Sequence, residues 1–144
     1  MTEKVKYDPD NIFAKIVRGD MSCIKVYEDG VIFAFMDIFP QSEGHTLVIP
    51  KKTKATMLFD IGVDDLKELI AGVQKIAKAV NRALKPDGVR VVQFNGEPAG
   101  QTVFHIHFHI IPIYTDKSLG RHAGGGLADS ARLTEIASRI AGAL

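Results

Sequence analysis

A chain of 144 residues fits one domain, and its 46% apolar content suits a globular fold rather than a disordered chain. Eighteen Lys and Arg stand against 17 Asp and Glu, a formal charge of +1 that gives no sign of the basic face nucleic acid requires. The single cysteine, Cys23, excludes an intrachain disulfide and a multi-cysteine metal centre, and its strand-like neighbours make it a small buried or half-buried side chain.

Residues 1–10 are polar and read as an N-terminal extension without the apolar core of a signal peptide. No run approaches the ~18–20 apolar residues that cross a bilayer, so no membrane partner is expected and the cytoplasm is the expected compartment. Ile12, Phe13, Ile16 and Val17 at helical spacing predict a helix over 11–18, capped by Asp10 or Asn11 and stopped by Gly19-Asp20. Runs at 24–28, 31–37 and 46–49 are rich in Val, Ile and Phe and predict strands; Asp29-Gly30 between the first two signals a hairpin. From 63 to 84, Leu66, Leu69, Ile70, Val73, Ile76, Ala77, Val80 and Leu84 form one apolar stripe. Asp64 and Asp65 lie near the positive end of that helix, and Lys85-Pro86-Asp87-Gly88 stops it. Strands at 89–94 and 102–111 flank the turn Asn95-Gly96-Glu97-Pro98-Ala99-Gly100. Gly124-Gly125-Gly126 lacks the Lys-Ser/Thr of a Walker A loop and reads as a flexible tail loop before a last amphipathic helix at 130–140. This order predicts a single α+β domain over 1–144: a mostly antiparallel five-stranded sheet, one long helix packed on it, and short N- and C-terminal helices.

Residues 103–111 read Val-Phe-His-Ile-His-Phe-His-Ile-Ile. In an extended chain alternate side chains share a face. His105, His107 and His109 then point one way, toward solvent or ligand, while Phe104, Ile106, Phe108 and Ile110 point toward the long helix. A plain half-exposed strand would use Thr, Lys or Glu as readily, without groups that titrate near neutrality. A metal site is limited by distance: alternate residues lie ~6.6 Å apart and those four apart ~13 Å, against zinc–nitrogen bonds of ~2.0–2.1 Å. Two of the three with His45 could bind an ion, but no acid or thiolate within the segment completes that set. Covalent catalysis uses all three histidines. A neutral imidazole attacks phosphorus at neutral pH and leaves afterwards, while its neighbours hydrogen-bond the phosphoryl oxygens as charge develops.

Immediately upstream, Gly100 allows backbone N–H groups close to a phosphate, and Asn95, Gln101 and Thr102 carry neutral hydrogen-bonding groups; a plain hairpin loop would also use Gly, Asn and Pro. Asp37 either caps the turn Phe39-Pro40-Gln41 or accepts both hydroxyls of a ribose. Phe13, Ile16, Phe35 and Ile38 are candidates to sandwich a base, with core packing the default for each taken singly.

With Gly44-His45-Thr46-Leu47-Val48-Ile49-Pro50-Lys51 added, the chain resembles the histidine-triad (HIT) family, in its Hint-like branch, over roughly residues 11–112. The family signature is His-x-His-x-His followed by two apolar residues, preceded here by Ala99-Gly100-Gln101-Thr102-Val103. Asn11-Ile12-Phe13-Ala14-Lys15-Ile16 and Phe35-Met36-Asp37-Ile38-Phe39-Pro40-Gln41 match its nucleotide-pocket segments, so the resemblance adds Ile12 to the candidates above. It implies that His107 attacks the α-phosphorus of a nucleotide and that water then releases the nucleoside monophosphate. His109 would contact the phosphate and leaving group, with His105 and His45 supporting the site. Asn95, Gly100 and Thr102 would hold phosphate oxygens, Thr102 or Gln101 would lie near the leaving group, and Asp37 would bind the ribose. A purine nucleotide partner, a homodimer with a continuous sheet, and hydrolysis without a bound metal or cofactor are implied as well. The implied substrates are nucleoside phosphoramidates or related nucleotidyl conjugates; dinucleoside polyphosphates, or a nucleotide-binding scaffold with incidental catalysis, are the alternatives. Many relatives resemble zinc proteins in carrying Cys-x-x-Cys where this chain has Asn11 and Ala14, and His where it has Thr53, so no such zinc is expected here. Residues 113–144 form a tail to which the resemblance assigns no structure.

Overall fold

The computed structural model describes residues 5–120 and 126–144. Helix α1 (Ile12–Arg18) leads into β1 (Lys25–Glu28), β2 (Ile32–Met36) and β3 (Thr46–Pro50). The long helix α2 (Val63–Leu84) precedes β4 (Gly88–Val92), a single 3-10 turn (Glu97–Ala99), β5 (Phe108–Ile113) and α3 (Ser130–Ala141). The five strands form one sheet in the order β1-β2-β3-β5-β4, with every pair antiparallel. The α+β architecture and its five-stranded sheet are those expected from the sequence.

Both faces of the central strands are covered, which is why every residue of β2 and β3 is buried. Ile32, Ala34 and Met36 of β2 and Val48 of β3 meet Leu69, Val73, Ile76 and Val80 of α2 and Leu133, Ile136 and Ile140 of α3. The alternate residues Phe33, Phe35, Leu47 and Ile49 meet Phe13 and Ile16 of α1 on the opposite face. Each fully buried branched aliphatic contributes about 1.5–3 kcal/mol, so the α2 stripe is a main source of stability. Asn11 is the residue that caps α1, its side chain accepting from the N–H groups of Phe13 and Ala14. The tail is part of this core: Arg82 donates to the carbonyl of Ala143, and Arg139 to that of Ala83. The glycine-run loop falls partly on residues 121–125, outside the described residues.

One strand differs from expectation. The histidine segment is bent at 103–105, and β5 begins only at Phe108. The cause is partnership: Thr46, Leu47 and Val48 of β3 lie opposite Ile110, His109 and Phe108. Farther upstream the Ile106 N–H goes instead to the carbonyl of Ala55 (2.9 Å), beyond the end of β3. At the other end β5 continues through Pro112, opposite Val89 of β4; its pairing with β3 has already ended at Ile110, so the missing N–H breaks no ladder there.

Candidate active site

Although the strand is shorter than expected, the alternation of side chains survives the bend. Ile106 and Ile110 are buried in the α2 core with Phe108 packed beside them, while His105 and His107 lie against Phe13 of α1. The expected solvent-facing imidazoles are instead deeply covered: His105 is 1% exposed, His107 4% and His109 2%. Phe13 of α1 and Tyr7 lie against His105, Phe13 against His107, and His45 and Phe94 against His109, neighbours that the strand pattern alone does not contain.

The hydrogen bonds that these ring nitrogens make assign the protons. His105 Nε2 faces the carbonyl of Pro50 at 3.1 Å and so donates; its Nδ1, 3.0 Å from the Tyr7 hydroxyl, accepts. Burial pushes the His105 pKa below its ordinary value, with the bond to Pro50 working weakly the other way. His107 donates from Nδ1 to the backbone carbonyl of His105 over 2.7 Å, which puts the ring's lone pair on Nε2. Phe13 stands edge-on to this ring, with 4.9 Å between centroids and an interplanar angle of 87°.

A second relay fixes His109. The Gln41 N–H donates to His45 Nδ1 (3.0 Å), so the His45 proton is on Nε2 and goes to His109 Nδ1 (2.9 Å). His109 therefore carries its own proton on Nε2. The His107 and His109 rings lie 4.9 Å apart, with Phe94 at 5.2 Å from His109. Gly44 makes this possible: its φ of +93° is left-handed, and a Cβ there would overlap the Leu84 side chain, so only glycine turns the chain toward His45.

Asp37 takes the turn-capping role and also stands beside His45. Its Oδ1 accepts the Phe39 N–H (2.8 Å), the turn-capping role, and its Oδ2 lies 3.5 Å from His45 Nε2. Asp37, His45 and His109 bring one ligand atom each within 4.8 Å of one another, so among the described residues this trio could hold a metal ion. The histidine segment itself holds no acid to complete a set with His45; the acid of this trio, Asp37, lies outside it, just past the end of β2 and 72 residues before His109. A zinc at the positions where relatives have Cys and His does not fit. Ala14 and Thr53 line a hollow of about 170 Å³ with His105 and Tyr7, the Asn11 side chain caps α1, and both His105 nitrogens are engaged.

The 95–102 loop is held by its own side chains. Asn95 Oδ1 accepts from the Leu58 N–H (2.8 Å) and from Gln93 Nε2, while its Nδ2 donates to Gln93. Gly100 closes the 3-10 turn at φ 108°, its N–H bonded to the Glu97 carbonyl. Gln101, 1% exposed, accepts from the Gly96 N–H and donates to the carbonyls of Thr56 and Val103. Its donors are spent on carbonyls at Thr56 and Val103, which tie the loop to its neighbours, so the structure corrects its reading as a ligand contact to that of a loop brace. Thr102 is exposed. Of the apolar candidates, Phe13, Ile16 and Phe35 sit in the α1-side core, while Ile12 (46%) and Ile38 (43%) are exposed. Tyr7, Pro50 and Phe94 were not singled out from the sequence; Tyr7 lies in a polar extension that carries no periodic signal.

The HIT-domain family model matches residues 18–116, about two-thirds of the chain. This chain belongs to the HIT family. Protein hit of Bacillus subtilis is 46% identical over 103 residues, covering 72% of this chain and 70% of that protein. Adenosine 5'-monophosphoramidase hnt1 of Schizosaccharomyces pombe is 44% identical over 101 residues, 70% of this chain and 72% of that one. Among solved structures, a Hit-like protein of Bartonella henselae superposes with a TM-score of 0.87 at 46% identity, covering 96% of this chain and 99% of that one. No helix among the described residues is long and apolar enough to cross a membrane.

Proposed function

We propose that this HIT protein is a nucleotide hydrolase that cleaves nucleoside phosphoramidates, or related nucleotidyl conjugates, through a nucleotidyl-histidine on His107. The 2.7 Å bond from His107 Nδ1 to the His105 carbonyl carries the reading. With that proton held by the backbone, Nε2 keeps the electron pair that attacks the α-phosphorus. The new N–P bond forms as the bond from phosphorus to the leaving nitrogen breaks, and the departing amine takes a proton from His109 Nε2. Water then attacks the same phosphorus, returns a proton to His109 and releases the nucleoside monophosphate, restoring the His107 lone pair. His109 Nε2–H and the exposed Thr102 are the groups assigned to the phosphoryl oxygens and leaving group, with Asn95 and Gly100 shaping the loop beside them.

The Asp37 carboxylate, which spends one oxygen on Phe39, retains acceptor capacity for ribose hydroxyls, and Ile12, Phe13, Ile16, Phe35 and Ile38 form the apolar side toward a purine. The name of the fission-yeast relative supports an adenosine phosphoramidate as substrate. Two copies would join along β4, which ends the strand order, and the exposed Ile70 of α2. The test is mass spectrometry of protein quenched during turnover of an adenosine phosphoramidate. A gain of one nucleoside monophosphate within residues 102–117 is expected; turnover with no such adduct on His107 would overturn the mechanism.

A further inference from the structure

The N-terminal segment, polar and outside the matched domain, reaches the histidines through one side chain. Tyr7 is half-buried, its ring tilted at 52° to that of His105 with 5.6 Å between centroids, and its hydroxyl donates to His105 Nδ1 at 3.0 Å across 98 residues of chain. The segment is itself tied down: Asn11 donates to the carbonyl of Asp8 from both its backbone and its side chain, and Arg18 holds the Pro9 carbonyl and the Asp10 carboxylate.

His105 is thereby gripped at both ring nitrogens, by Tyr7 on one side and Pro50 on the other. Its own carbonyl is the group that accepts the His107 Nδ1 proton. A buried imidazole nitrogen deprived of its donor carries a desolvation cost that the chain relieves by shifting or admitting water. Any such shift of residue 105 moves the carbonyl from which the His107 ring is hung.

We propose that Tyr7 is a positioning residue for catalysis: its hydroxyl, through His105, holds the His107 ring in the orientation and tautomer needed for attack. The inference rests on the assignment of His107 as nucleophile. Tyr7 touches no reacting atom, so its effect belongs in turnover rather than in nucleotide affinity.

Tyr7→Phe keeps the ring and deletes the hydroxyl. With an adenosine phosphoramidate as substrate, kcat is expected to fall roughly three- to tenfold, the range of one lost hydrogen bond, with KM unchanged. A readout independent of turnover is the ¹⁵N–¹H NMR signal of the His107 Nδ1 proton in the ligand-free protein, whose exchange with water should quicken several-fold in Tyr7→Phe. If that exchange matches wild type in a folded Tyr7→Phe protein, the inference is overturned whatever the turnover. If Tyr7→Ala loses activity while Tyr7→Phe keeps all of it, the ring alone matters and the inference is again overturned. A wild-type protein that turns over no phosphoramidate, yet shows the quickened exchange in Tyr7→Phe, defeats the hydrolase reading and upholds the positioning role.

Discussion

His45 donates from Nε2 to Nδ1 of His109 over 2.9 Å, and the two residues come from chain segments 64 positions apart. This bond is what leaves His109 with its proton on Nε2, the nitrogen assigned to the leaving group. Replacing His45 by Ala frees His109 to change tautomer and to rotate. A general acid contributes ~10²–10⁴-fold, and the loss of its orientation should remove part of that, about 10- to 100-fold in kcat. Steady-state rates on a phosphoramidate check this; a His45→Ala enzyme with wild-type kcat would show that the relay is structural only.

His107→Ala should abolish nucleotidylation and lower turnover by ~10³-fold or more, as happens when a nucleophile in a cooperating set is lost. The burial of this ring adds a second outcome. A solvent-facing histidine could be removed at no cost, but His107 is 4% exposed and packed against Phe13. Urea denaturation should show a loss of about 1–3 kcal/mol.

Acid should destabilise the protein through His105. Its folded-state pKa is depressed by burial below the ordinary value of about 6.5, so between the two values the unfolded chain binds the extra proton. The stability this group contributes is complete above about pH 6.5 and is lost as pH falls toward the lower, folded-state value. Thermal unfolding from pH 7.5 to 5 should show a falling midpoint below about pH 6.5, with a shallower fall in His105→Gln. An equal slope in both proteins would remove His105 as the cause.

The apolar side of the histidine segment has its own hierarchy. Ile106 is fully buried in the α2 core, whereas Phe108 is half-buried. Ile106→Ala should cost about 2–5 kcal/mol by cavity formation. Phe108→Ala, which the alternation pattern alone would place at the full ~3–5 kcal/mol of a buried Phe, should fall below that range. Chemical denaturation of the two variants side by side tests the order.

Much of the fold is legible without coordinates because its signals are local. The stripe from Leu66 to Leu84 marks α2, whose bounds are those expected, and the helix over 130–140 appears as α3. The Asp29-Gly30 hairpin appears between β1 and β2. The extension of the histidine strand back to 102 was not borne out, because strand length depends on a neighbour to pair with: the ladder with β3 covers only Phe108 to Ile110, and the Ile106 N–H goes to the carbonyl of Ala55, beyond the end of β3. Gln101 looked like a ligand contact because a polar side chain beside Gly100 is ambiguous until its partners, Gly96, Thr56 and Val103, are known.

The sequence by itself determined which side chains alternate along 103–111, and hence that three imidazoles oppose a row of apolar groups; polarity along a chain is written residue by residue. Only the tertiary structure decided which nitrogen of each imidazole carries its proton, that Asp37 and His45 stand beside His109, and that Tyr7 meets His105. A tautomer is set by whichever donor or acceptor lies within about 3 Å. For His107 that atom is the carbonyl of His105, two residues before it, but for His45, His105 and His109 the atoms come from positions 7, 41, 45 and 50, brought to the site only when the chain folds around it.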